Sequence, residues 1–191
     1  MPKLILLRHL QSEWNKENRF TGWTDVSLSK EGRESVKEVA KKLAGFSIDK
    51  VYTSPLIRNK ETVSLILGEL GRGDLPIVID KALDERNYGK LQGLDKDEVK
   101  KQYGQDQVKL WRRDWDQAPP GGESLKDVFN RVIPFYKKNI ERDLKEGKNV
   151  LVVASHNSLR ALVKHLENIS NEDIINLEMP TGSLREYEID A

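Results

Sequence analysis

The sequence predicts an α/β protein with three layers, α/β/α, around a mostly parallel central sheet, with one edge strand open to antiparallel pairing. Three observations carry this. "KLILL" (3–7) and "NVLVVA" (149–154) are apolar at successive positions, as strands buried on both faces are. Between them lie segments with helical apolar spacing, and strands alternating with helices build a parallel sheet covered on both sides. The third is size: 191 residues at 37% hydrophobic suit one core, hence a single domain over 1–191.

The elements follow in order. "SKEGRESVKEVAKKLAG" (29–45) reads as one helix: Ser29 can cap it, Val36, Val39, Ala40 and Leu43 share a face, and Gly45 can stop it. "KVYTSP" (50–55) is a short strand ending in a turn, and a helix follows to about Leu70. "PIVI" (76–79) is a further strand and "DERNYGKLQG" (84–93) a polar loop. Helical material fills roughly 95–115. Two prolines and two glycines make "QAPPGGES" (117–124) a loop, after which Ser124 caps a long helix that Pro134 is expected to kink. Leu159, Leu162, Val163 and Leu166 mark the helix after "NVLVVA", and "REYEI" (185–189) alternates like an edge strand. No repeat, low-complexity tract or domain boundary is visible.

Composition narrows the function. Charged residues make up 33% but balance, 32 basic against 31 acidic, and a net charge of +1 gives no footprint for nonspecific nucleic-acid binding. Without cysteine, disulfides and thiolate metal sites are excluded. No apolar run approaches the roughly 20 residues of a membrane helix. The run before the first charges of "MPKLILLRH" is too short for a signal peptide. These features lead us to expect a soluble cytoplasmic protein with no nucleic-acid or membrane partner, and they leave homo-oligomerisation open.

In parallel sheets, ligands bind beyond the carboxyl ends of the strands. Arg8 and His9 follow the first strand, with Ser12 and Asn15 close behind. Ser54 and Arg58 follow the second, and His156 and Asn157 follow "NVLVVA". Three segments thus bring basic and polar groups to one edge. Phosphoryl transfer needs such groups around the phosphate oxygens and an in-line nucleophile. Neutral imidazole is a competent nucleophile, and adjacent arginines keep it neutral. His9 is therefore the expected nucleophile, with Arg8, Arg58 and His156 around the phosphoryl oxygens. Glu85, in "LDERNYG", is the expected proton donor, because a carboxyl beside an anion is easier to protonate. Taken singly, these residues have plainer readings. Arg112–Arg113 reads as a solvated helix face, Lys96 as a surface lysine, His165 as exposed, and Trp14 and Trp23 as packing residues. The joint placement of the two histidines lifts the functional reading.

The chain resembles the cofactor-dependent phosphoglycerate mutases, a branch of the histidine phosphatase superfamily. The resemblance rests on "RHLQSEWNKENRFTGWTDVSLSKEG" (8–32), "YTSPLIR" (52–58), "LDERNYGKLQGLDKDE" (83–98), "YGQDQVKLWRR" (103–113), "PPGGESLKD" (119–127), "NSLRALVKHLENIS" (157–170) and "PTGSLREYEID" (180–190). "NRFTGW", "ERNYG" and "WRR" together are specific to the mutase branch. The resemblance implies phosphorylation of His9, phosphate binding by Arg8 and Arg58, and acid–base catalysis by Glu85. It implies substrate contacts from Ser12, Asn15, Thr21 and Gly22. Tyr88, Lys96, Arg112 and Arg113 would hold the carboxylate and distal phosphate, and Asn157 would touch the phosphoryl site. It further implies 2,3-bisphosphoglycerate as phosphoryl primer, no metal, and small phosphorylated three-carbon acids as substrates. A phosphatase acting on small phosphoesters is the alternative.

Two departures from the family pattern stand beside catalytic histidines. Leu10 replaces a glycine, and "ASHN" replaces Ala-His-Gly-Asn. Aligned without a gap, Ser155 takes the histidine's place; a one-residue shift restores His156. Imidazole suits a phosphoryl oxygen better than a hydroxyl does, so His156 is expected to face the site. The Leu10 side chain is expected to fill room left by the altered second loop.

Overall fold

The computed structural model describes residues 1–190. Five strands form one sheet: β1 (Lys3–Arg8), β2 (Lys50–Thr53), β3 (Ile77–Ile79), β4 (Val150–Ala154) and β5 (Leu184–Glu188), in the order β3-β2-β4-β1-β5. β4 pairs in parallel with β1 and β2, and β2 with β3, while β5 runs antiparallel along β1. The expected mostly parallel sheet with an antiparallel edge strand is what forms. Every residue of β4 and the middle four of β1 are buried. β3 closes the other edge and leaves Ile77 and Ile79 largely exposed.

The helices are α1 (Glu13–Lys16), α2 (Lys30–Glu34), α3 (Val36–Leu43), α4 (Ile57–Glu69), α5 (Lys96–Tyr103), α6 (Gln105–Arg113), α7 (Leu125–Phe135), α8 (Glu141–Lys145) and α9 (His156–Leu166). Because side chains alternate across a strand, Ile5 and Leu7 of β1 meet Leu151 and Val153 beneath α3 and α4. Leu4 and Leu6 meet Val150 and Val152 beneath α7 and α9. A third cluster of Phe20, Tyr88, Leu91, Val99, Val108 and Trp111 packs the polar loop against α5 and α6. Among the described residues, no helix is long and apolar enough to cross a membrane.

One helical expectation is corrected and two gain detail. The helix over 29–45 is two, broken at Ser35, whose hydroxyl donates back to the Gly32 carbonyl at 2.7 Å. Serine competes with the helix ladder in this way. Residues 95–115 also hold two helices, separated by Gly104 at φ +88°, a backbone conformation that favours glycine. The helix after Ser124 begins with the expected cap, a reciprocal box with Asp127. Beyond Pro134 it passes through a π-helical turn, Tyr136–Ile140, into α8. Proline cannot donate to the ladder and crowds the turn before it. Asp143 is buried beside that turn, bound by Lys50, Lys148 and the Tyr52 hydroxyl. His165, expected to be exposed, is half-buried against the edges of Phe129 and Tyr136.

Candidate active site

β1, β4 and β2 are neighbours, so the residues leaving their carboxyl ends converge. A cavity of about 330 Å³ opens there. It is lined by Arg8, His9, Arg58, Glu85, His156 and Asn157, together with Asn15, Thr21, Gly22, Tyr88, Lys96, Arg112 and Arg113. Of the side chains singled out from sequence, Ser12 and Ser54 are not brought to it. Ser12 is buried and caps α1, accepting from the Asn15 amide at 3.1 Å. Ser54 is buried and accepts from the Asn59 amide group at 2.7 Å.

His9 directly follows β1, and its amide donates to Ala154 at the end of β4, 3.1 Å away. Its ring Nδ1 lies 2.6 Å from the Leu10 carbonyl. A carbonyl only accepts, so Nδ1 carries the proton and Nε2 keeps a lone pair. Nε2 has no hydrogen bond among the described residues. Burial holds the His9 pKa well below the ordinary 6.5, and the charges of Arg58 and Arg8 push the same way. The nucleophilic form of the ring is thus the stable one.

His156 begins α9 and lines the cavity. Its Nδ1 lies 3.4 Å from an Arg113 nitrogen. Arginine only donates, so Nδ1 accepts and Nε2 carries the proton. The two histidines therefore hold opposite tautomers: one offers a lone pair, the other a donor. Burial, with Arg8 and Arg113 next, keeps His156 neutral as well. Ser155 is buried outside the cavity, where its hydroxyl accepts from Asn59 at 3.1 Å.

Glu85 is 6% exposed. Its Oε1 accepts from the Arg86 amide at 2.6 Å and from the Asn157 amide, in the first turn of α9, at 3.1 Å. Oε2 has no partner among the described residues, which leaves one carboxylate oxygen for proton transfer. The Glu85 carbonyl is gripped by the Trp23 indole N–H (2.7 Å) and by Arg131 (2.8 Å). Trp23 is thus more than a packing residue, because it fixes the backbone that presents Glu85.

The cations differ in what surrounds them. Arg58 is buried and donates to the carbonyls of Gly22 (2.7 Å) and Thr24 (3.1 Å). Gly22 has φ +56°, and a Cβ there would overlap Gln92 and the Tyr88 backbone. Arg8 donates to the Met179 carbonyl at 2.7 Å, while its Nε is buried without a partner. Burial lowers the Arg8 pKa to about 10, so it stays charged. Lys96 opens α5, and burial, reinforced by Arg112, Arg8 and Arg113, lowers it to about 8. Lys96, Arg112 and Arg113 are therefore a mutually repelling set at the cavity wall, which an anion would relieve.

Two buried arginines that the sequence reading passed over support this wall. Arg86 and Arg160 both donate to the Asn157 side-chain oxygen, at 3.2 and 3.0 Å. Arg160 also donates to the carbonyls of Arg113 (2.7 Å), Ile174 (2.6 Å) and Leu177 (2.9 Å). Gln11, Arg19, Phe20 and the segment Glu178–Thr181 line the cavity as well and were also missed. Gln11, Arg19, Phe20, Pro180 and Thr181 lie in stretches that carry the family resemblance, with no role attached to them, whereas Glu178 and Met179 lie in none.

Leu10 is held by the core. Its side chain packs beneath α3 and α4, with Val39. Gly182 stands beside it, and a Cβ there would lie 3.6 Å from the Leu10 side chain. The contact that residue 10 makes with His9 is through its carbonyl, which any residue supplies.

Comparison with known proteins agrees with this geometry. The sequence profile described as histidine phosphatase superfamily (branch 1) matches residues 4–191. A 2,3-bisphosphoglycerate-dependent phosphoglycerate mutase of Cytophaga hutchinsonii is 49% identical over all of this chain and 89% of its own length. One of Parvibaculum lavamentivorans is 46% identical over all of this chain and 92% of its own. Among solved structures, a mycobacterial glucosyl-3-phosphoglycerate phosphatase superposes with TM-score 0.86 at 26% identity, covering 97% of this chain and 90% of that one. YhfR of Bacillus stearothermophilus gives 0.84 at 28% identity, covering 100% and 92%. A strand-edge histidine pair among arginines, and near-full-length identity approaching half, lead to one conclusion: the chain belongs to the histidine phosphatase superfamily, branch 1, in the family of the 2,3-bisphosphoglycerate-dependent phosphoglycerate mutases.

Proposed function

We propose that this chain interconverts 3-phosphoglycerate and 2-phosphoglycerate, a step of glycolysis and gluconeogenesis, through a phosphorylated His9. One observation carries the reading. A single cavity holds a neutral imidazole with Arg8, Arg58 and His156, and also a second cation set of Lys96, Arg112 and Arg113. A simple phosphoester needs the first set; a second anionic group on the same small acid needs the other. The relatives named as mutases support this reading. 2,3-bisphosphoglycerate, when bound, supplies the phosphoryl group that primes His9. Its chemistry fits the donors present, including the buried Arg8 Nε that lacks a partner.

Within this reading, His9 Nε2 takes the phosphoryl group. Arg8, Arg58 and the His156 Nε2–H donate to its oxygens, each charge-assisted bond worth about 1.5–3 kcal/mol. Glu85 Oε2 gives and recovers the proton of the ester oxygen. Imidazole needs no metal for this, and we assign none. We assign residues 1–191 to one domain and the activity to the cytoplasm.

The test is a coupled assay for 2-phosphoglycerate, starting from 3-phosphoglycerate with a trace of 2,3-bisphosphoglycerate, with free phosphate measured in parallel. The reading expects 2-phosphoglycerate from the wild type, and neither product nor acid-labile phosphoenzyme from His9→Ala. A phosphatase is the second reading, favoured by the likeness to a glucosyl-3-phosphoglycerate phosphatase. Release of phosphate without 2-phosphoglycerate would decide for it.

A further inference from the structure

We propose that Glu178 is a specificity-determining residue: it limits how tightly the bisphosphorylated acid is held relative to a simple phosphate. The proposal rests on the assignment of Lys96, Arg112 and Arg113 to a second anionic group.

The carboxylates among the described cavity-lining residues are Glu85 and Glu178. Glu85 is committed to the phosphoryl end. Glu178 pairs through its Oε1 with Arg113 at 2.7 Å. Its charge also reaches Arg112, where it opposes the loss of charge that burial imposes. By contrast, the charges acting on His9 are those of Arg58 and Arg8. Glu178 is therefore placed to act on the outer cations.

The position of Glu178 is built, not incidental. The carbonyl of the residue before it, Leu177, is held by Arg160 at 2.9 Å. The carbonyl of the residue after it, Met179, is held by Arg8 at 2.7 Å. Two arginines, Arg160 and Arg8, thus pin the backbone on either side, and Arg8 is a phosphoryl-site ligand. Arg113 itself is anchored through its own carbonyl by Arg160 at 2.7 Å. Both partners of the ion pair therefore hang from the same buried guanidinium.

An anionic group arriving at Arg113 meets a carboxylate already there. It must displace Glu178 or share the guanidinium with it. The Glu178 side chain is 63% exposed, so the pair is water-screened and displaceable. Inorganic phosphate, which needs only Arg8, Arg58 and His156, does not meet this competitor. The expected penalty on the larger anion is roughly two- to fivefold in affinity, the range an exposed ion pair is worth. It should shrink with added salt, because exposed charges are screened.

Titration calorimetry on the full chain tests this in a His9→Ala background, where no phosphoryl transfer disturbs the binding. Glu178→Gln should bind 2,3-bisphosphoglycerate roughly two- to fivefold tighter at low salt, with the gain falling as salt rises. Binding of inorganic phosphate should stay nearly constant. Glu178→Asp keeps the charge and should stay closer to the parent than Glu178→Gln does. Unchanged or weaker bisphosphoglycerate binding in Glu178→Gln would overturn the proposal, as would an equal gain for inorganic phosphate. Failure of the mutase reading shows separately, as an absence of 2-phosphoglycerate from the wild-type protein.

Discussion

Lowering the pH from 7.0 to 5.5 should destabilise the fold through His9 and His156. Both are buried, 1% and 7% exposed, and held neutral by burial and by surrounding arginines. In the unfolded chain each ring titrates near 6.5. Below that pH the unfolded state binds protons that the native state refuses, so unfolding is favoured as pH falls. The sign is that of a depressed native pKa: stability is full above the unfolded value and lost beneath it. Integrating over the window gives about 1.2 kcal/mol for each ring and about 2.5 kcal/mol for the pair. His165, also lowered by burial, adds in the same direction. Urea unfolding followed by circular dichroism, at several pH values and constant ionic strength, measures the slope. His9→Gln should remove about half of the pair's contribution, near 1.2 kcal/mol. A flat stability between pH 7.0 and 5.5 would mean that the native histidines protonate freely. His9 would then not be held as a neutral nucleophile.

Three further outcomes follow from the same geometry. Glu85→Gln should lower kcat by roughly 10²–10⁴, the usual worth of general acid–base catalysis, with substrate affinity changed far less; steady-state kinetics that leave kcat intact would remove Glu85 from the chemistry. His156→Ala should cost much more turnover than Ser155→Ala, because only the imidazole lines the cavity, and the reverse order would show that the serine faces the phosphoryl group. Leu10→Ala should destabilise by about 2–5 kcal/mol, the cost of truncating a buried leucine, as read by urea titration; an unchanged midpoint would contradict its burial beneath α3 and α4.

The legible parts of this protein are those whose cause is local. β1 and β4 are buried on both faces, and their unbroken apolar runs say so in a linear sequence. Ser29 and Ser124 cap helices through amides three residues away, within reach of a short motif. Where a local competitor acts, the pattern is also present but faint. Ser35 breaks a helix with its own hydroxyl, and periodicity over 29–45 alone does not show it. The cavity residues were legible in part because the carboxyl ends of parallel strands are where an open α/β sheet binds ligands.

By itself, then, the sequence determined the layers, the parallel core and the pairing of His9 and His156 at one edge. Each follows from hydrophobic pattern or from position after a strand. The tertiary structure alone decided which nitrogen of each histidine is free, because the Leu10 carbonyl and Arg113 set the tautomers. It decided that Ser12 caps a helix and that Leu10 packs into the core beneath α3 and α4. It also decided what Arg86 and Arg160 hold, since the motifs that contain them name no partner, and it set Glu178, which no motif contains, against Arg113. Arg160 joins α9 to the end of α6 and to the segment before Glu178. Buried donors must find acceptors wherever folding brings them, and at separations of 17 and 47 residues those partners come from packing, not from spacing along the chain.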